Sequence, residues 1–179
     1  FYNQGNNKYD DGDYSGAISD YDKAIELDPQ YTRAYFNRGL SKINLRDNSG
    51  AISDFNKVIN IDTKNSDAYV NRGLAKDNLG DNLGAISDYS KAIEINPKYA
   101  LSYYNRGIAK ENLKDYLGAI SDYSKAIEIN PDYALAYNNR GIAKSKIKDY
   151  YGAISDYDTA IEINPNFIEP YYNRGISKG

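Results

Sequence analysis

The string Gly-Ala-Ile-Ser-Asp, followed by Tyr or Phe, begins at Gly16, Gly50, Gly84, Gly118 and Gly152, always 34 residues apart. A second marker, Asn-Arg-Gly, begins at Asn37, Asn71, Asn105, Asn139 and Asn173 with the same step, and Asn3-Gln4-Gly5 stands one step ahead of them as a variant. Two independent markers therefore keep one period along the chain with no insertion. A fixed period of this length marks a stack of small supersecondary units, each unable to bury its apolar face alone.

Each unit reads as two helices. In the unit from Ala100 to Tyr133 a first helix is expected over about residues 101–113. The second carries Leu117, Ala119, Ile120, Tyr123, Ala126 and Ile127 at the spacing of a buried helical stripe. Asp115 is placed to cap that helix, as are Asp13, Asp47, Asp81 and Asp149 in the other units. Pro131 then stops it, as do Pro29, Pro97 and Pro165, because proline cannot continue a helix. Thr63 stands in that place once and predicts a softer turn. Gly107 is expected to face Ala119 across the hairpin, so that two small residues let the backbones approach.

Composition sets the kind of core. The chain of 179 residues has 20 Tyr but no Trp, Met or Cys, so Tyr, Ile, Leu and Ala must build it. A tyrosine is buried only where its hydroxyl reaches water or a partner, which favours thin stacked layers with half-exposed rings. Without Cys or His, disulfides, thiolate metal sites and the usual neutral-pH general base are excluded. The run Asp10-Asp11-Gly12-Asp13 lacks the alternating ligands and closing Glu of a calcium loop and reads as a turn plus helix cap. The repeated Ser-Asp pairs have no base to activate the hydroxyl. No catalytic, metal or cofactor site is expected. A net charge of −3 argues against a surface that tracks phosphates. No apolar run approaches the ~20 residues of a membrane helix, and no signal peptide is visible, so a cytoplasmic location is expected. Both ends fall inside a unit without a polar capping element, which predicts part of a longer array.

A 34-residue unit with small residues at positions 8 and 20, aromatics at 4 and 24, and proline near its end resembles the tetratricopeptide repeat (TPR). Tyr103, Gly107, Ala119, Tyr123, Ala126 and Pro131 carry the resemblance in one unit, and Asn-Arg-Gly is similar to the marker of bacterial-type arrays of this family. The resemblance covers 1–179 as a single array, with units 1–31, 32–65, 66–99, 100–133 and 134–167 and a partial unit 168–179. It implies an all-α fold, a right-handed superhelical solenoid of antiparallel helix pairs. It also implies a concave groove lined by positions 2, 5, 6, 9, 12 and 13.

Three positions that are apolar in the family are charged here. Position 7 is Arg38, Arg72, Arg106, Arg140 and Arg174; position 11 is a lysine from Lys8 to Lys178; position 23 is Asp20, Asp54, Asp88, Asp122 and Asp156. Buried charges are tolerable when paired and hydrogen-bonded. The register therefore predicts an ionic seam joining Arg72, Arg106 and Arg140 to Asp54, Asp88, Asp122 or Asp156. Sequence leaves open whether the Asp is of the same or the preceding unit, and a basic binding stripe is the alternative.

The groove positions suggest a binding face. Position 6 is Asn in every unit, including Asn37, Asn71, Asn105 and Asn139, and position 9 is apolar after the first unit, including Leu74, Ile108 and Ile142, with Tyr104 at position 5 beside them. An amide matches both polar groups of a peptide bond, so the row is expected to project free of its own backbone and grip an extended chain. A capping or hydration role and mere duplication are the alternatives. A basic clamp for a chaperone tail is not expected, because only Arg33 fits it. The function expected is a protein-interaction scaffold, not an enzyme, taking an extended peptide or a partner helix in the groove. A self-assembling solenoid stacking through its ends is the second reading. A helical-repeat RNA binder comes third, and no nucleic acid or membrane partner is expected.

Overall fold

The computed structural model describes residues 1–178, with side chains through Ser177, so the Lys178 side chain and Gly179 lie outside the described residues. Among the described residues there are eleven α-helices and no strand. They are α1 (Tyr2–Asp10), α2 (Tyr14–Leu27), α3 (Thr32–Asn44), α4 (Asn48–Ile61), α5 (Ser66–Asn78), α6 (Asn82–Ile95), α7 (Ala100–Asn112), α8 (Tyr116–Ile129), α9 (Ala134–Lys146), α10 (Tyr150–Ile163) and α11 (Ile168–Lys178). The odd-numbered helices are the first helices of the repeats and the even-numbered ones the second. Packing groups them into two compact units, Phe1–Ile95 and Asn96–Gly179, although the repeat register runs through the boundary unbroken.

One aspartate per repeat makes the turn inside each hairpin. The backbone N–H groups of Asp13, Asp47, Asp81, Asp115 and Asp149 reach back to the lysine carbonyls at position 11, at 2.8–2.9 Å, closing the first helix. Their carboxylates then accept from Gly16, Gly50, Gly84, Gly118 and Gly152, at 2.9–3.0 Å, capping the second. A methyl group on any of these glycines would run into the capping carboxylate, which explains the glycine that opens each Gly-Ala-Ile-Ser-Asp string. The residue before each aspartate is left-handed: Gly12 and Gly80 in two repeats, Arg46, Lys114 and Lys148 in the others.

Between repeats the residue before the proline shapes the chain. Asp28, Asn96, Asn130 and Asn164 accept on their side-chain oxygens from the N–H two residues on. Asp62 does the same for Lys64 at 3.0 Å. The turn at Thr63 thus has the hydrogen bonds of the proline turns, and proline is dispensable where the Asx bond is made.

The core is a layer of alanines with one aromatic ring per repeat. Tyr21, Phe55, Tyr89, Tyr123 and Tyr157 are buried. Each ring lies on the position-8 glycine of its own hairpin, so that a Cβ at Gly107 would stand 2.6 Å from Tyr123 Cε1. Leu117 corrects the expected stripe: it is 70% exposed, and its counterparts Leu83 and Tyr151 are exposed too. At 3.6 residues per turn Leu117 lies about 120° around the helix from Tyr123, off the packed face.

Candidate functional site

Each repeat's arginine fixes the first helix against its neighbours. Arg72 donates from Nε and Nη2 to Asp88 at 2.9 and 2.5 Å, Arg106 to Asp122 at 2.9 and 2.7 Å, and Arg140 to Asp156 at 2.9 and 2.6 Å. Arg38 and Asp54 are joined in the same way. The aspartate therefore belongs to the arginine's own repeat, the choice that sequence left open. Lys42, Lys76, Lys110 and Lys144 complete each aspartate at 2.7–2.8 Å. These cations are engaged by buried carboxylates, which removes the basis for a basic binding stripe. In the first repeat position 7 is Gln4; Lys8 reaches Asp20 at 2.6 Å and Lys23 stands 3.6 Å from it, and the Lys8 hydrogen bond in particular holds the carboxyl below the usual carboxylate range.

The preceding repeat also contributes, through a position the sequence reading passed over. Arg38 Nη1 donates to Asp22, Arg72 Nη1 to Asn56, Arg140 Nη1 to Ser124 and Arg174 Nη1 to Asp158. Every acceptor sits at position 25, and the signal available in sequence was that this position is polar in every repeat. Each arginine also lies over the position-4 tyrosine of its own helix, as Arg140 does over Tyr137 at 5.3 Å.

With the seam spent inward, the opposite side of the first helices carries the predicted amides and apolar groups. Asn37, Asn71, Asn105 and Asn139 are half-buried there with Leu74, Tyr104, Ile108 and Ile142. The amides are not free, however. Asn37 Nδ2 donates to Tyr2 Oη at 3.1 Å and Asn6 Oδ1 at 2.9 Å; Asn139 Nδ2 donates to Tyr104 Oη at 3.1 Å; Asn173 Nδ2 donates to Asn138 Oδ1 at 3.1 Å. In all three the position-5 residue of the preceding repeat is the acceptor. That residue is Phe36 ahead of Asn71, which offers no acceptor, and Asn71 turns to its own helix at Asp67 O, 2.8 Å away. Asn71 alone thus departs from the expectation of amides free of their own backbone, while Asn37 and Asn139 are held by side chains of the preceding repeat. Asn37, Asn139 and Asn173 brace neighbouring first helices, and among the described residues the Oδ1 atoms of Asn37 and Asn71 accept no bond, whereas that of Asn139 takes Asn138 Nδ2 at 3.2 Å.

Glu111, at position 12, is a half-buried acid of this face. It accepts from Tyr123 Oη at 2.9 Å, and burial pushes its carboxyl above the usual range. Burial also raises the Tyr104 and Tyr123 hydroxyls. Two hollows flank Asn37, one of 290 Å³ on the Tyr9 and Leu40 side and one of 210 Å³ on the Arg33, Phe36 and Asp67 side. No cluster of acidic side chains suited to a metal occurs among the described residues, and no helix is long and apolar enough to cross a membrane.

Comparison with known proteins agrees with this geometry. A TPR repeat profile matches residues 5–43 and 78–114, and tetratricopeptide repeat profiles match 32–65, 100–133 and 134–167, together well over half of the chain. The chain belongs to the tetratricopeptide repeat family. The crystal structure of MamA is similar at 28% identity with a TM-score of 0.85, over 90% of this chain and 94% of MamA. The first TPR of Spaghetti (RPAP3), bound to the HSP90 peptide SRMEEVD, is similar at 26% identity and a TM-score of 0.63, over 65% of this chain and 93% of that one. YrrB, a TPR protein with an unusual peptide-binding site, shares the fold at 23% identity and a TM-score of 0.80, over 97% and 90% of the two chains. No curated protein matches the sequence. As a TPR protein the chain is a protein-interaction scaffold and not an enzyme.

Proposed function

We propose that the first-helix face of this TPR protein, the concave groove of its family, holds an extended peptide. The reading rests on the flanking of Asn37 by two hollows, with its amide hydrogens held by Tyr2 and Asn6 and its oxygen left to accept from a ligand backbone N–H. Preorganised acceptors cost little to order on binding. Asn37, Asn71, Asn105 and Asn139 supply the polar row, and Leu74, Tyr104, Ile108 and Ile142 the apolar contact area. The RPAP3 relative, bound to a peptide, supports a peptide as the class of ligand.

The test is selection from a random peptide library on the intact chain, followed by calorimetry of the enriched sequence. Asn71→Ala combined with Asn105→Ala is the informative variant, because neither amide bonds a neighbouring repeat within its own compact unit. Binding is expected to weaken by about 0.5–1.5 kcal/mol for each hydrogen bond lost, with modest salt dependence because the gripping groups are neutral. Unchanged affinity in the double variant places the ligand elsewhere. A second reading, self-association, is favoured by the exposure of Ile168, Tyr172 and Ile176 on α11. Sedimentation that depends on concentration and persists in salt would support it.

A further inference from the structure

Two hollows on this face are the same hollow, built four repeats apart. One is lined by Asn6, Tyr9, Asp10, Tyr21, Asn37 and Leu40. The other, of 280 Å³, has Ile142, Ser145, Lys146, Tyr157, Asn173 and Ile176 at the corresponding repeat positions. The buried tyrosine and the asparagine are common to both, but the charge is reversed. Position 13 is Asp10 in one and Lys146 in the other, whereas the repeats between carry Asn44, Asn78 and Asn112 there.

Both charges are exposed, and among the described residues neither makes an ion pair. Each is the last residue of its helix, α1 or α9. A helix C-terminus favours a cation and disfavours an anion, so Asp10 has the wrong sign for its own helix and a structural role does not account for it. The surroundings suit each charge. Beside Lys146, Ser145 Oγ stands 3.5 Å from Tyr157 Oη and 3.0 Å from Ser177 Oγ, which itself donates to Asn173 O, so the Ser145 and Tyr157 hydroxyls are the ones able to turn to an anion. Glu111, the acid within electrostatic reach of Lys146, is half-buried and held by Tyr123. Beside Asp10, the Tyr21 hydroxyl is spent on Asn6 Oδ1, the Tyr9 hydroxyl oxygen takes Asn44 Nδ2, and the lining itself holds no cation. Both volumes lie below the roughly 300–1,000 Å³ of small-molecule pockets and suit a single side chain.

We propose that these hollows are side-chain pockets of opposite preference, the Asp10 pocket taking a cationic side chain and the Lys146 pocket an anionic one from a peptide ligand. This rests on the peptide-binding reading of the face.

The experiment is an amide ¹H–¹⁵N titration of the intact chain with three capped pentapeptides, acetyl-Leu-Ala-X-Ala-Leu-amide, in which X is Glu, Lys or Gln. The Glu peptide is expected to move the Lys146 and Ser177 signals, and the Lys peptide those of Asp10 and Leu40. Each should bind its pocket about fivefold more tightly than the Gln peptide does at low salt, the scale of one exposed ion pair. The reversals D10K and K146E, at exposed sites and checked for helicity by circular dichroism, should exchange the preferences. If all three peptides move first-helix signals equally, or reversal leaves the order unchanged, the charge assignment is wrong and peptide binding stands. If no peptide moves any first-helix signal, both fall together.

Discussion

Arg140 meets Asp156 edge to edge: Nε and Nη2 reach the two carboxylate oxygens at 2.9 and 2.6 Å, while Lys144 closes on Oδ2 at 2.8 Å. The carboxylate is almost fully buried and the arginine side chain is 17% exposed. Removing the acid leaves two cations without their common partner. Asp156→Ala is therefore expected to cost about 3 kcal/mol, the lower end of the range for breaking a buried pair because the cations keep some water. Asp149→Ala, which removes only the cap on Gly152, should cost about 0.5–2 kcal/mol. Urea unfolding of both variants checks the order, and equal losses would mean that the seam contributes no more than a surface pair.

The buried tyrosines set an upper pH limit. Burial raises the Tyr21 hydroxyl from 10.0 to about 12, and it raises Tyr89, Tyr123 and Tyr157 in the same direction. In the unfolded chain these phenols ionise near pH 10, while in the folded chain they stay protonated. The folded state then binds more protons, so stability present below pH 10 is lost as pH rises through the folded values. Phenolate absorbance from the core rings should therefore appear only well above pH 10, together with loss of helicity. A single phase near pH 10 with helicity intact would contradict the raised values.

What sequence disclosed and what it did not divide by the distance over which a residue's partner is chosen. The hairpin turns were readable because Asp115 finds Gly118 three residues away and closes onto Lys110 five residues back. The arginine's acid was readable as a residue type, but its repeat was not, since an Asp stands 16 positions after and another 18 positions before each of Arg72, Arg106 and Arg140. The partners of Asn37 and Asn139 are not legible in sequence because each acceptor tyrosine lies 35 residues earlier on another first helix, and nothing local announces that Tyr104 will reach Asn139. Leu117 was misplaced because an apolar side chain in a helix's first turn fits the i, i+3 count while pointing away from the packed face. The resemblance places position 13 in the groove, but its charge has meaning only once Tyr157 and Asn173 are seen to wall the same hollow.

The brace between repeats can be measured as a coupling. Asn139→Ala and Tyr104→Phe each remove one side of a 3.1 Å hydrogen bond between first helices. Each single change should cost about 0.5–1.5 kcal/mol, and the double variant should cost less than the sum, because the second change removes a partner already lost. Asn71→Ala, whose amide bonds only its own helix, should cost less than Asn139→Ala. Strict additivity in the cycle would show that the two side chains do not support each other.

Two glycines of the same repeat position separate packing from helix propensity. Gly107 and Gly175 both lie inside first helices, where alanine is intrinsically better by roughly 0.5–1 kcal/mol. At Gly107 the added methyl would stand 2.6 Å from Cε1 and 2.8 Å from Cδ1 of Tyr123, whose ring is fully buried and has no open side to move toward. Overpacking of this kind costs about 1–3 kcal/mol, which outweighs the propensity gain, so Gly107→Ala should lower the melting temperature. At Gly175 nothing lies within 4 Å of the new methyl. Gly175→Ala should therefore hold or raise the melting temperature, through propensity alone. Thermal melts followed by circular dichroism decide the matter. A stabilised Gly107→Ala would mean that the hairpin opens to admit the methyl, and that the contact between Gly107 and Tyr123 does not fix the spacing of its two helices.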